Sequence, residues 1–306
     1  MAEQNNSSCS SHCGSCSANC SSRTAGIEKL PLAEGSSVKK VIGIVSGKGG
    51  VGKSTVCSLL ASAMNKEGFH VGILDADITG PSIPKAFGLL HDGVALSEDG
   101  KSMVPETSNG GVEIISTNLL LENETDPVIW RGSMIANAVK QFWQEVEWRE
   151  IDYLFVDMPP GTGDVPLTVF QSLPIDGVII VTSPQDLVSM IVEKAVRMAE
   201  KMHVPILGIV ENMSWFTPEE LPNNKYYIFG NGGGARLAEE LGLPLLGQIP
   251  LVQGVCEAGD EGTPVALGEN TLLAEYFSEL ADRVAKQVAL RNETLPETKK
   301  VIVSKH

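Results

Sequence analysis

A glycine-rich segment between an apolar run and a helical stretch constrains the fold most. It reads Gly47-Lys48-Gly49-Gly50-Val51-Gly52-Lys53-Ser54-Thr55 and follows the β-branched run Val41–Ser46. The pattern is G-x-x-x-x-G-K-[S/T], in which the N–H groups of a loop bind phosphate oxygens at the positive end of a helix. We therefore predict that Gly47 to Thr55 bind ATP, with Lys53 on the β- and γ-phosphates and Ser54 on Mg²⁺.

From Val38 onward, short β-branched runs alternate with helical stretches. This alternation is typical of βαβ units, which build a parallel sheet and bind ligands at the carboxyl ends of its strands. The predicted fold class is α/β, with a doubly wound, mostly parallel seven-stranded sheet and helices on both faces. The predicted strands are Val41–Ser46, His70–Leu74, Val112–Ser116, Tyr153–Asp157, Gly177–Thr182, Ile206–Glu211 and Leu245–Ile249. The predicted helices are Ser54–Lys66, Ser133–Val146, Leu187–Met202, Ala235–Leu241 and Thr271–Arg291.

Acidic side chains end two of the predicted strands. Asp75 and Asp77 follow the second strand, beside the phosphate loop, where carboxylates suit Mg²⁺ chemistry; alternatively, both cap the following turn. Asp157 ends the fourth strand and is interpreted as the Walker B carboxylate, which binds Mg²⁺. The glycine-bearing loop from Met158 to Asp164 is interpreted as a switch that senses the γ-phosphate.

The first 37 residues are rich in Ser, Asn, Gly and Cys and hold few apolar side chains. Such a segment cannot bury enough surface to offset the entropy of ordering, so we predict a flexible arm over 1–37, a nucleotide-binding domain over 38–291 and a flexible tail over 292–306. Cys9, Cys13, Cys16 and Cys20 follow the spacing C-x3-C-x2-C-x3-C in this arm. Four thiolates suit Zn²⁺ or an iron–sulfur cluster, and the spacing alone leaves both open, as well as no stable metal.

Charge and hydropathy exclude several classes of function. The chain holds 38 acidic and 23 basic residues, a net charge of −15, which disfavours nonspecific binding of nucleic acid. Its first residues have neither the basic start nor the apolar run of a secretion signal, and no apolar run approaches the ~18 residues needed to span a bilayer. We therefore expect a cytoplasmic protein with no nucleic-acid partner and no stable membrane anchoring.

Several motifs together resemble the Mrp/ApbC family of ATP-dependent iron–sulfur cluster carriers, which has the P-loop NTPase fold. The resemblance extends over about four fifths of the chain, from Val38 to about Val288. The motifs are KGGVGKST at Lys48 to Thr55, LDADITGPSIP at Leu74 to Pro84, WRGSM at Trp130 to Met134, DMPPGTGD at Asp157 to Asp164, ENMSWF at Glu211 to Phe216 and FGNGGG at Phe229 to Gly234.

The resemblance implies roles for individual residues. Lys48 marks the deviant Walker A group, which includes MinD and ParA, and in that group this lysine crosses a dimer interface to the partner's nucleotide. Asp77 would orient the attacking water, and Asp75 would hold a magnesium-bound water. Asn212 would contact adenine, although an asparagine in this position can also simply close a turn.

The family also implies an activity and a cargo. It suggests an ATPase that works as a homodimer with a cluster assembly scaffold and transfers a [4Fe–4S] cluster to apo iron–sulfur client proteins. The C-x-x-C pair that members commonly carry after the ENMS segment is absent here, where Thr217 to Pro222 stand instead. The family's bridging site therefore does not carry over, and the resemblance favours a [4Fe–4S] cluster on the four cysteines of the arm.

Two other functions fit parts of the sequence. A MinD- or ParA-like positioning ATPase would dimerise on a membrane or on DNA, but the C-terminal segment Thr298 to His306 is too short for firm membrane anchoring and the acidic charge disfavours DNA. A metal-free adaptor regulated by ATP is consistent with the missing C-x-x-C pair.

Overall fold

A computed structural model describes residues 29–78, 80, 82–89, 93–97, 100–120, 132–185, 189–260, 262 and 271–295. Within these ranges the strands are β1 (Val38–Ser46), β2 (Val71–Asp75), β3 (Ala95–Leu96), β4 (Met103–Val104), β5 (Glu106–Thr107), β6 (Glu113–Ile115), β7 (Ile151–Asp157), β8 (Gly177–Thr182), β9 (Ile206–Glu211) and β10 (Leu245–Gln248). The helices are α1 (Lys53–Lys66), α2 (Ile83–Ala86), α3 (Gly132–Glu145), α4 (Asp164–Ser172), α5 (Ser189–Lys201), α6 (Gly233–Leu241), α7 (Gln253–Asp260) and α8 (Thr271–Thr294), with a 3-10 helix at Thr117–Leu120.

Eight of these strands form one sheet in the order β10-β9-β8-β1-β7-β2-β6-β5. Neighbouring strands are parallel except β5 and β6, and β3 and β4 form a separate antiparallel pair. The predicted fold class is confirmed, but the predicted count of seven strands is wrong by one. All seven predicted strands are present, and β5 adds an antiparallel edge strand of two residues, too short to show an alternating pattern.

Apolar side chains fill both faces of the sheet. On one face, α1 and α8 pack over Ile42 and Ile44 of β1. On the other face, α3, α4, α5 and α6 pack over Val41 and Val45. Because successive strand residues point to opposite faces, a strand covered on both faces needs a nearly continuous apolar run. β1 has this character and lies in the interior of the sheet, so the phosphate loop begins at the centre of its carboxyl edge.

The residues just before β1 pack against the domain. Leu32 is 1% exposed, the Leu30 N–H donates to Ser172 O, and the Ser37 N–H donates to Trp148 O. Residues 29–37 belong to the predicted flexible arm, but this short stretch contacts α3 and α4. Nε1 of Trp143 donates to Leu30 O, and Nζ of Lys29 donates to Phe170 O. Similarly, α8 continues to Thr294, beyond the predicted domain end at residue 291. No helix in the described part of the chain is long and apolar enough to cross a membrane.

Candidate nucleotide-binding site

The loop between β1 and α1 holds most of the predicted phosphate-binding residues. Gly50 and Gly52 have φ angles of 79° and 76°, a left-handed conformation that glycine adopts without steric cost. A Cβ atom on Gly47 would lie 3.0 Å from the backbone of Ile191 in α5, and a Cβ atom on Gly52 would overlap Nδ2 of Asn212. Gly47, Lys48, Gly49, Gly50, Val51 and Gly52 thus form a tight turn, and Lys53, Ser54 and Thr55 follow as the first turn of α1. N–H groups without helical partners at this helix start favour an anion.

Lys53, Ser54 and Asp157 form one hydrogen-bonded cluster. Nζ of Lys53 donates to Oδ1 of Asp157 at 2.5 Å and to Oγ of Ser54 at 3.3 Å. Oγ of Ser54 donates to Oδ2 of Asp157 at 2.5 Å. The Lys53 and Asp157 side chains are 6% and 1% exposed, so their charges lie in a poorly hydrated environment. The structure therefore brings together the lysine predicted to bind phosphate, the serine predicted to bind Mg²⁺ and the predicted Walker B carboxylate.

Asp75 stands beside this cluster, because Asp75 of β2 and Asp157 of β7 are paired in register. Asp75 is fully buried and accepts hydrogen bonds from Oγ of Ser116 at 3.0 Å and from the Asp77 N–H at 3.1 Å. Burial and, next, the charge of Asp157 raise the pKa of Asp75 to about 8, although Lys53 and both hydrogen bonds act in the opposite direction. Asp75 therefore caps the turn to Asp77, as the alternative interpretation expects, and also belongs to a buried acidic pair that an added cation would stabilise.

Asp77 and Lys48 occupy the surroundings of the buried cluster. Oδ2 of Asp77 lies 3.8 Å from Nζ of Lys53, and the Asp77 side chain is 14% exposed. Nζ of Lys48 donates to Oε1 of Gln185, 2.7 Å away in the loop after β8. The two lysines of the motif thus differ. Lys53 is buried and lies beside the carboxylates of Asp157 and Asp77, whereas Lys48 is hydrogen-bonded to the exposed side-chain amide of Gln185.

The predicted switch loop, Met158 to Asp164, is hydrogen-bonded to β1. The Met158 N–H donates to Ile44 O at 3.1 Å, and the Gly161 N–H donates to Ser46 O at 2.9 Å. Gly161 has a φ of 88°, and Asp164 begins α4. Because Ser46 directly precedes the phosphate loop, the backbone of the switch loop is connected to the start of that loop.

Asn212 contacts the phosphate loop from β9. Its Nδ2 donates to Val51 O at 2.9 Å, its N–H donates to Thr182 O at 2.8 Å, and its side chain is buried. The structure therefore brings Asn212 to the nucleotide site, where it supports the loop backbone. Its contact with adenine stays a prediction.

Sequence reasoning missed two residues of this site. The Ser116 hydroxyl donates a hydrogen bond to Asp75, and the side-chain oxygen of Gln185 accepts one from Lys48. Ser116 ends a predicted strand, and Gln185 follows another by three residues. The carboxyl ends of parallel strands meet at one edge of the sheet. The strand-end rule that identified Asp75 and Asp157 could therefore have identified Ser116 and, less directly, Gln185.

The predicted cluster ligands Cys9, Cys13, Cys16 and Cys20 lie outside the described residues. Among the residues that the structure describes, no group of three or more His, Cys, Asp and Glu side chains is arranged to hold a metal ion. Cys57 is a buried free thiol in α1, and burial, followed by the charge of Asp157, raises its pKa. Burial and a raised pKa both disfavour reaction of this thiol.

A parallel α/β sheet with a phosphate loop after β1 and carboxylates at the ends of β2 and β7 defines the P-loop NTPase class. The model of the ParA-type family described as NUBPL iron-transfer P-loop NTPase matches residues 37–285. The chain belongs to this family, and the resemblance inferred from its motifs is confirmed.

Relatives and solved structures agree with this assignment. An iron–sulfur cluster carrier protein of Clostridium perfringens is 47% identical over 250 residues, which cover 80% of this chain and 87% of the relative. A nucleotide-binding protein of Archaeoglobus fulgidus, solved in complex with ADP, is 41% identical with a TM-score of 0.66, covering 74% of this chain and 87% of that one. The cell division ATPase MinD of Pyrococcus furiosus has a TM-score of 0.59, covering 81% of this chain and 99% of that one, but at 20% identity it shows a common fold only.

Proposed function

We propose that this protein is a cytoplasmic ATPase that carries a [4Fe–4S] cluster and transfers it to apo iron–sulfur proteins, acting as a nucleotide-controlled homodimer. The observation that supports the ATPase most directly is the buried contact of Lys53 and Ser54 with Asp157 at the start of α1. Family membership and the carrier relatives support the cargo.

The oxygen ligands at this site fit Mg²⁺. The Ser54 hydroxyl and the carboxylates of Asp157 and Asp75 lie together at the carboxyl edge of the sheet, and a hard cation prefers such oxygen ligands. In the proposed site, Ser54 would bind Mg²⁺ directly, and the two aspartates would hold it through water. Bound Mg²⁺ supplies positive charge to the β- and γ-phosphates during phosphoryl transfer.

The lysines and Asp77 act on the nucleotide itself. The Lys53 side chain leaves Asp157 and places its ammonium group on the β- and γ-phosphates, and the Asp157 carboxylate would then be available to hold Mg²⁺. Asp77 orients the water that attacks the γ-phosphate. Lys48 leaves Gln185 and reaches the nucleotide of the partner subunit, where it stabilises the charge of the transition state.

Nucleotide state reaches the rest of the protein through the switch loop. Gly161 is hydrogen-bonded to Ser46, so a change of the phosphate loop acts on the loop that begins α4. Cys9, Cys13, Cys16 and Cys20 hold the cluster as cargo, and rearrangement of the dimer on hydrolysis alters access to it. Client apoproteins and an assembly scaffold are the expected partners.

Anaerobic reconstitution with iron and sulfide tests the cargo. Wild-type protein should bind about four irons per monomer, and a variant with all four arm cysteines replaced by serine should bind almost none. Cys256→Ser serves as the control, since it removes a thiol outside the arm. Reconstituted wild type should also activate an apo [4Fe–4S] enzyme in the presence of MgATP.

The substitution variant is preferable to deletion of residues 1–37, because residues 29–37 pack on the domain. All variants should bind MgATP alike, which would show that they are folded. Equal iron in wild type and in the variant without the four arm cysteines would overturn the arm as the cluster site. Stoichiometric zinc without iron would favour a structural metal, and no metal at all would favour the ATP-regulated adaptor.

A further inference from the structure

A groove between α4 and α5 lies outside the nucleotide site. Its volume is about 380 Å³, and its lining includes Leu167 of α4, Met198 and Met202 at the end of α5, and Thr162 of the switch loop. Leu167 is 36% exposed, and the two methionines are half-buried. The groove therefore presents an apolar floor to solvent, directly beside the switch loop.

Basic side chains form one wall of this groove. Lys194, Arg197 and Lys201 line it, and no acidic side chain does so among the described residues. At 100° per residue, these three positions fall within about 60° of one another on α5, and Met198 and Met202 follow on the adjacent side. Arg197 pairs with Glu193 at 3.2 Å, on the side of the helix away from the methionines. A basic stripe therefore runs along an apolar floor.

This stripe contrasts with the charge of the whole chain. The chain holds 38 acidic and 23 basic residues, so three basic side chains lining one groove, of which Arg197 also pairs with Glu193, differ from the average surface. Exposed lysines on apolar stems can cover a hydrophobic surface and keep the charge in water, so a helix packed there meets both apolar and positive groups. Methionine adapts its shape to different apolar partners.

We propose that this groove binds an acidic amphipathic helix of a partner protein. A helix laid between two helices inserts apolar residues at i, i+3, i+4 and i+7 into the floor, the helix-in-groove mode of recognition. Glutamate or aspartate residues along one edge of that helix pair with Lys194 and Lys201. Nucleic acid is disfavoured because three of the seven lining residues are apolar and the chain as a whole carries a net charge of −15.

The probe for this proposal is a fluorescent peptide of about 18 residues, five helical turns, with leucines on one face and glutamates along one edge of it. Fluorescence anisotropy on the full-length protein should show saturable binding that weakens with added salt. A matched peptide with lysine in place of glutamate, and an acidic peptide of scrambled order, should each bind at least about tenfold more weakly.

Matched variants locate the binding surface. Lys194→Glu and Lys201→Glu should each weaken binding of the acidic peptide several-fold. Lys286→Glu makes the same charge change at an exposed position of α8 and should not weaken binding. Leu167→Gln should weaken peptide binding more than Leu290→Gln does, because Leu167 lines the groove and Leu290 does not. The two leucines are a matched pair because both are exposed, at 36% and 44%. Unchanged MgATP binding in every variant would show that the fold and the nucleotide site are intact.

Several results would overturn the proposal. They are the absence of saturable binding, equal binding of the acidic and lysine peptides, and equal effects of Lys194→Glu and Lys286→Glu. Full displacement of the peptide by a short DNA duplex at equal concentration would show that the surface recognises negative charge alone. None of these results depends on the cluster or on ATP hydrolysis, so they are independent of the proposed carrier function.

Discussion

The ammonium group of Lys53 lies 2.5 Å from Oδ1 of Asp157, and both side chains are almost fully buried. The lysine that is predicted to bind phosphate thus neutralises the carboxylate that is predicted to hold Mg²⁺. Nucleotide binding must exchange this ion pair for contacts with phosphate and Mg²⁺. The pair therefore holds the Lys53 side chain in one orientation at the start of α1.

Lys53→Ala should abolish tight nucleotide binding. We expect MgATP affinity to fall at least about 30-fold, because removing one member of a buried charge pair costs about 2–5 kcal/mol. Lys66→Ala, at the exposed last turn of the same helix, should leave the affinity unchanged. Calorimetric titration with a nonhydrolysable ATP analogue measures both. Wild-type affinity in Lys53→Ala would refute the role of Lys53.

Asp75 should make the stability of the metal-free and nucleotide-free protein depend on pH. Its pKa is raised to about 8 in the folded state, mainly by burial, so the folded state binds a proton that the unfolded state has released above about pH 4. The contribution of Asp75 to folded-state stability should therefore be greatest at low pH and fall as the pH rises from about 4 to about 8. Asp75→Asn keeps the shape of the side chain without its charge, so it should flatten this slope and stabilise the protein on the alkaline side.

Urea unfolding with a chelator present, near pH 5 and near pH 9, measures this dependence. Asp152→Asn is a control of opposite sign. Burial acts to raise the pKa of Asp152, but hydrogen bonds from Lys39 and the His70 N–H outweigh it and lower that pKa. Asp152→Asn should therefore destabilise the protein at neutral pH and lose this effect in acid. A slope in Asp75→Asn as steep as in wild type would assign the pH dependence to another group.

Lys48→Ala should retain nucleotide binding and lose turnover. Lys48 makes its hydrogen bond with exposed Gln185 and not with the buried carboxylates, so its removal leaves the Lys53 cluster intact. If it acts on the partner's nucleotide like an arginine finger, its loss should lower kcat by about 10³ to 10⁵. Gln185→Ala, which removes the partner and keeps the lysine, should hydrolyse ATP at close to the wild-type rate. Normal kcat in Lys48→Ala would exclude the trans-lysine role.

The sequence alone predicts the parts of this fold that local pattern determines. The central strands β1 and β8 are rich in buried apolar residues because both faces of the sheet are covered, and the glycine motif requires a strand–loop–helix context. Strand ends then identify Asp75, Asp157 and Asn212, because parallel strands bring their carboxyl ends together. The contacts of all three at this edge agree with that reasoning.

Other features depend on tertiary packing that no local pattern records. β5 has two residues, and its pairing with β6 depends on the chain reversal between them. α2 and α7 are four and eight residues long, too short for a clear helical period. Leu32 is buried in a core cluster with side chains of α3 and α4, which are distant from it in the sequence. The Lys53 to Asp157 pair likewise joins residues 104 positions apart, whose exact contact a motif cannot give.

Asn212→Ala should affect nucleotide binding in two separable ways. Its Nδ2 supports Val51 O of the phosphate loop, so the variant should bind pyrophosphate, which has no base, several-fold more weakly, as expected for loss of a buried hydrogen bond worth about 1–3 kcal/mol. If Asn212 also contacts adenine, ATP should lose more affinity than GTP does. Asn224→Ala, in an exposed loop, is the matched control and should change neither. Unchanged pyrophosphate binding would contradict the loop-supporting role, and equal losses for ATP and GTP would contradict the adenine contact.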